Sequence, residues 1–130
     1  MKVLLDTCTF LWIAAAPEAL SAQARALFQD ADNEVYLSAA SAWEIATKHA
    51  LGRLPLPEPA ERLIPRLRER HGVEALPIDE ESTLHLPRLP PIHRDPFDRI
   101  LVAQAQIEEL VLVSADPVFA QYGVAVFATS

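Results

Sequence analysis

The sequence predicts an α/β domain, a mainly parallel sheet covered by helices on both faces, and three observations carry that expectation. Short, continuously apolar runs stand at Val3-Leu4-Leu5, Val35-Tyr36-Leu37 and Val111-Leu112-Val113, as expected of strands buried on both sides. Helical stretches separate them, and strands that alternate with helices become parallel neighbours joined by right-handed crossovers. The chain has 130 residues, enough for one domain that buries roughly two thirds of its unfolded surface and too few for a second.

Taken in order, the first strand at 3–5 runs into Asp6-Thr7. Residues 9–15 and 21–30 read as helices separated by Pro17, the second capped by Ser21 and carrying Ala24, Leu27 and Phe28 on one side. After the second strand at 35–37, a helix that starts at Ser38 or Ser41 runs to Leu51 and stops at Gly52. Pro55, Pro57 and Pro59 make 54–59 a connector, because proline removes donors and extends the residue before it. A helix over 58–70 is expected to kink or break near Pro65, with Gly72 ending it before a strand over 73–78 and another helical turn starting at Asp79. Beyond the proline-punctuated 86–91, Asp95-Pro96 supplies a cap and a proline at the first helical position for a helix to about Glu109. The strand at 111–113, a short helix opened by Asp116-Pro117 and a last strand over 124–127 complete the chain.

The composition, 51% hydrophobic with 3 glycines, is that of a globular protein. A single cysteine, Cys8, excludes an internal disulfide and a cysteine-based zinc site and suits a reducing compartment, so the cytoplasm is the expected location. The apolar run before Asp6 is too short for a signal peptide, and no stretch approaches ~20 apolar residues, so a soluble protein away from the membrane is expected. A formal charge of −7 opposes a simple nucleic-acid binder, which normally carries an excess of lysine and arginine.

Ligands of parallel sheets bind beyond the carboxyl ends of the strands, and Asp6 and Asp116 follow the first and fourth strands there. Asp98 lies in the first turn of the helix before the fourth strand, and Glu44 in the early turns of the helix after the second. The four acids could therefore converge, and convergent carboxylates call for a divalent cation, with all-oxygen ligands favouring magnesium or manganese over zinc. Each acid also has an ordinary explanation. Asp6, Asp95 and Asp116 suit helix caps, and Asp98 suits the positive end of a helix dipole. Glu44 could complete a capping box with Ser41 or pair with Lys48 four residues on. Its neighbours Trp43, Ile45 and Ala46 are apolar, however, so a charge among them needs compensation.

The segments Leu4-Leu5-Asp6-Thr7, Leu37-Ser38-Ala39-Ala40-Ser41-Ala42-Trp43-Glu44-Ile45-Ala46, His93-Arg94-Asp95-Pro96-Phe97-Asp98-Arg99 and Ser114-Ala115-Asp116 resemble, in order and spacing, those of VapC-type PIN-domain toxins. The resemblance covers nearly the whole chain. It implies a single PIN domain over 1–130, a three-layer sandwich with strand order 3-2-1-4-5, and an acidic pocket that holds Mg2+ or Mn2+. It further implies endoribonuclease activity, a homodimer and a cognate antitoxin peptide lying over the early helices. By position, Asp6, Glu44, Asp98 and Asp116 match the acidic quartet, Asp95 is a cap or outer-shell residue, and Thr7 and Ser114 match hydroxyl positions beside the acids. Cys8 departs from the histidine many such proteins carry there and is expected to be a small buried packing residue.

On this basis the expected chemistry is metal-assisted hydrolysis of an RNA phosphodiester, with Asp6 and Asp98 as main ligands and Asp116 and Glu44 completing the shell or placing the nucleophile. Arg99 is expected either to contact phosphate or to pair with Asp95, and His93 to line the pocket. Arg62, Arg66 and Arg70 form a stripe that is either a backbone contact or a solvated face with Glu58 four residues before Arg62. Phe10-Leu11-Trp12-Ile13 is apolar almost all round its helix, so part of it should meet a partner. Among other classes, a phosphoacceptor signalling domain needs a late lysine, and Lys2 and Lys48 are the only lysines. A noncatalytic PIN-like binding module is the remaining alternative.

Overall fold

The structure, a computed structural model, describes residues 1–129. Five strands, β1 (Lys2–Leu5), β2 (Glu34–Ser38), β3 (Val73–Leu76), β4 (Val111–Ser114) and β5 (Val126–Ala128), form one sheet in the order β3-β2-β1-β4-β5, every pair parallel. Six α-helices accompany them: α1 (Thr7–Ala15), α2 (Ala22–Gln29), α3 (Ala39–Ala50), α4 (Ala60–His71), α5 (Glu80–His85) and α6 (Pro96–Glu108). The expected α/β class, three layers and strand order are all present.

The central strand shows why the run Val3-Leu4-Leu5 carries no polar residue. Val3 and Leu5 point into a core built on α1, α2, α3 and α4, while Leu4 points into a second core built on α6 with Phe119 and Tyr122. All three are fully buried, and each contributes roughly 1.5–3 kcal/mol by leaving water. Val113 and Leu112 on β4 divide between the same two cores. No helix of the described residues is long and apolar enough to cross a membrane.

Several boundaries differ from the sequence expectation for local reasons. Helix α1 begins at Thr7 because Asp6 is its cap, accepting from the Thr9 N–H. Helix α3 takes Ser38 rather than Ser41 as its cap, with the Ser38 hydroxyl accepting from the Ala40 N–H. Helix α4 runs uninterrupted through Pro65. Its face of Ala60, Leu63, Ile64 and Leu67 is buried while Pro65 lies exposed, so packing outweighs the one backbone hydrogen bond that proline removes. β3 stops at Leu76 and the last strand is displaced to Val126–Ala128. The segment after Asp116 is a 3₁₀ turn over Pro117–Tyr122 rather than an α-helix.

Helix α6 ends without a glycine: Glu109 takes the left-handed conformation with φ 55°, and its N–H donates to the Ala105 carbonyl. A side chain there is strained by about 1–2 kcal/mol, partly offset by the smaller entropy loss of a non-glycine residue. Glu109→Gly should therefore stabilise the fold by about 0.5–1 kcal/mol, read as a higher urea midpoint at unchanged m-value.

Candidate active site

At the carboxyl edge of the sheet the loops after β1 and β4 meet the starts of α3 and α6 around a cavity of about 390 Å³. Asp6, Glu44, Asp98 and Asp116 all line it, as the sequence predicted, and Asp95 and Lys48 line it too. Asp6 follows β1 directly, and its N–H donates to the Val113 carbonyl on β4 at 3.1 Å, which locks the two strand ends together. Its carboxylate does two jobs at once: Oδ1 caps α1 at 2.8 Å and Oδ2 accepts from the buried Ser114 hydroxyl at 2.5 Å. The same Ser114 oxygen accepts from the Asp116 N–H at 3.0 Å, so one hydroxyl sets the positions of two acids. Asp116 is also a cap, accepting from the Val118 N–H at 2.9 Å.

Cap and site member thus describe the same residues rather than alternatives. Asp95 likewise caps α6 through the Phe97 N–H while lining the cavity.

Glu44 is buried, yet its apolar sequence neighbours are not what surrounds it. Ile45 faces the core while Trp43 is 61% exposed, its ring edge-on to Phe97 with centroids 4.9 Å apart. The charge of Glu44 is met by the Thr7 hydroxyl, which donates to Oε1 at 2.7 Å, and by Lys48, whose Nζ lies 2.5 Å from Oε2. The pairing with Lys48 is the helical i, i+4 pair, whereas Ser41 is not part of a capping box and lies 3.0 Å from the Thr7 hydroxyl.

Asp98 stands where burial disfavours its charge. Desolvation pushes its pKa up to about 6, further raised by Asp95 and Glu44 and opposed by a hydrogen bond from His93. His93 Nε2 lies 2.8 Å from Asp98 Oδ2, and the His93 backbone N–H donates to the Tyr122 hydroxyl. Among the described residues, His93, Asp95 and Asp98 are the one set of three or more whose ligand atoms lie within 4.8 Å of one another. The four acids of the expected quartet share the cavity without closing to that distance. His93 was expected only to line the pocket; its closeness to Asp98 could have been suspected from the five-residue spacing across the Asp95-Pro96 helix start, but the loop conformation that delivers it is tertiary.

Two expectations are corrected. Arg99 is not among the residues that line the cavity and does not pair with Asp95: it donates to the carbonyls of Leu86, Pro90 and His93 and ties the 86–93 loop down. Cys8 is exposed on the cavity wall rather than buried in the core. Local desolvation of its thiol, with the carboxylates of Asp6 and Glu44, holds its pKa above the ordinary value.

Carboxylates from the carboxyl ends of two parallel strands and the early turns of two helices thus line one cavity, a donor set of the oxygen-only kind that suits hard cations. The chain belongs to the PIN domain family, which it matches over residues 3–125. It is 46% identical over 63 residues to ribonuclease VapC16 of Mycobacterium tuberculosis, a match spanning 48% of this chain and 45% of that protein. Its fold is that of a chain in the crystal structure of VapBC2 from Rickettsia felis bound to a promoter DNA fragment, with TM-score 0.76 at 14% identity over 100% of both chains. A chain of DNA-bound VapBC from Salmonella typhimurium is similar at TM-score 0.71 and 18% identity over 98% of each.

Two measurements follow. Ser114→Ala leaves Asp6 Oδ2 and the Asp116 N–H without their partner, and should cost about 1–3 kcal/mol in chemical unfolding. Asp98 binds more protons folded than unfolded between its ordinary pKa of 3.8 and about 6, so stability falls as pH rises through that window and the loss is complete above it. In divalent-free buffer Asp98→Asn should abolish that part of the pH 4 to 7 decline, about 1 kcal/mol after solvent screening of a partly exposed group. An unchanged decline in the variant would show that Asp98 titrates normally.

Proposed function

We propose that this chain is a Mg2+- or Mn2+-dependent endoribonuclease, the toxin of a type II toxin-antitoxin pair, acting in the cytoplasm as a homodimer restrained by its antitoxin. The observation that carries this reading is the convergence of five carboxylates from four separate segments on one cavity, with only one lysine among them. Negative charge so concentrated favours the entry of a cation, and an all-carboxylate donor set fits a hard divalent ion. The net acidity that argues against nucleic-acid binding is then partly a property of the pocket, cancelled where the phosphate must sit.

Asp98 and Asp6 would be the principal ligands, with Glu44 and Asp116 completing the shell directly or through water. A bound divalent ion would lower the pKa of a water, orient the phosphodiester and offset charge developing in line. The chain's own groups do the remaining work. Ser114 and Thr7 hold Asp6 and Glu44 in fixed rotamers by donating to one oxygen of each, which leaves their other lone pairs directed by the loop geometry. His93 Nε2, beside Asp98 Oδ2, offsets part of the desolvation that raises the Asp98 pKa. Arg99 fixes the loop that carries His93. Asp95, capped onto α6, orients the first turn on which Asp98 stands.

A partner surface is supported by α1. Phe10 and Ile13 are consumed by the core, but Leu11 and Trp12 stay half-buried beside Leu54, Leu56 and Leu63 along a groove of about 360 Å³ edged by Arg66 and Arg70. Arg66 pairs with Glu58 rather than standing in a free stripe. An apolar segment of the antitoxin is the proposed occupant, and VapC16 and the VapBC structures are the relatives that support it.

The test is cleavage of varied RNA fragments, including transfer and ribosomal RNA, by partner-free protein with Mg2+ or Mn2+, beside an identically prepared Asp98→Asn variant. Cleavage that needs both metal and Asp98, with the variant at least about 100-fold slower, supports the enzyme. Binding without cleavage by the folded wild type on all substrates would identify a noncatalytic binding module instead.

A further inference from the structure

Among the residues that line the acidic cavity, Lys48 is the sole lysine or arginine. Its setting differs from an ordinary helical i, i+4 pair, in which both partners are solvated and the attraction is worth about 0.3–0.5 kcal/mol. Here the two side chains are unequal: Glu44 is 8% exposed and Lys48 47% exposed. The acid is also fixed at its other oxygen by the Thr7 hydroxyl. The carboxylate is thus the immobile half of the pair, and the ammonium is the mobile half, on a flexible four-carbon stem at the cavity wall.

Charge balance gives that mobility a use. Five carboxylates face one ammonium in the cavity, and a phosphodiester adds a further negative charge. The sequence neighbour that could have served, Arg99, has its donors committed to backbone carbonyls. A phosphate oxygen pointing away from a bound cation would therefore find one cationic donor on the wall, provided Nζ were released from Glu44. A divalent cation held by the Glu44 carboxylate would supply that release, because the ammonium would then lose its attraction to a neutralised group.

We propose that Lys48 is a phosphate-positioning residue that exchanges partners, neutralising Glu44 in the cation-free pocket and turning to a non-bridging oxygen of the phosphodiester once a divalent cation takes Glu44. This rests on the nuclease reading and names the substrate contact that accompanies it. A lysine serving only as a fixed counter-ion for Glu44 would stay on Glu44 with substrate bound and would make no phosphate contact.

The measurement is binding of a labelled single-stranded RNA in Ca2+, followed by anisotropy at several salt concentrations, with gel analysis confirming that the RNA stays intact. Lys48→Met and Lys48→Gln should weaken binding about tenfold and reduce the slope of log affinity against log salt by about 0.7, the loss of one phosphate contact on a single strand. Lys48→Arg should restore the slope. Without RNA, the two neutral variants should bind Mn2+ several-fold more tightly by paramagnetic resonance, since nothing competes for Glu44. An unchanged salt slope in variants that melt cooperatively, or weaker Mn2+ binding, overturns the exchange. Wild-type cleavage is run in parallel: if wild type cleaves RNA while the slope stays unchanged, the Lys48 role alone falls. If wild type neither binds nor cleaves any RNA, both fall.

Discussion

The pairing of β1 with β4 is the constraint on which the rest of the molecule depends. These strands meet at the middle of the sheet, Leu5 opposite Val113, and each presents an acid just past its carboxyl end. Parallel pairing puts those ends on the same edge, so Asp6 and Asp116 become neighbours although more than a hundred positions separate them. The Asp6 N–H to Val113 carbonyl bond and the Ser114 hydroxyl between the two acids then convert strand register into carboxylate geometry. A shift of one residue would turn Ser114 away from the site and Val113 out of its core.

That arrangement concentrates charge, and the fold handles the acids unequally. Asp6, Asp95 and Asp116 are each given a backbone N–H at a helix start, where the dipole also favours an anion. Glu44 has a hydroxyl and an ammonium. Asp98 has His93 alone, and burial outweighs it, leaving this carboxyl half-neutral near pH 6. A positive charge beside Asp98 would favour its ionised form against that burial.

The two faces of the sheet carry different duties. The core of α6 with Phe119 and Tyr122 supports the site from below, since Tyr122 accepts the His93 N–H and Arg99 on α6 holds the same loop. The core of α1 and α4 instead leaves Leu11 and Trp12 incompletely covered. The apolar groove and the acidic cavity adjoin, with Trp12 lining both.

What the sequence by itself determined is local or periodic: the buried strands, the alternation with helices, the capping aspartates and the four acids at strand ends and helix starts. These follow from short-range rules, because an apolar run at 3–5 has no other stable fate than a two-sided burial and Asp-Pro has few other uses than opening a helix. The resemblance to PIN-domain toxins supplied strand order, which local patterning does not encode. Tertiary structure decided the rest, since each outcome turned on partners far along the chain. Pro65 does not break α4, whose apolar face is packed, Cys8 lies exposed on the cavity wall, and Glu44 is buried while Trp43 beside it is exposed. Arg99 donates to three carbonyls of the 86–93 loop, and the chain's path before α6, not the local sequence, brings those carbonyls within reach of its guanidinium.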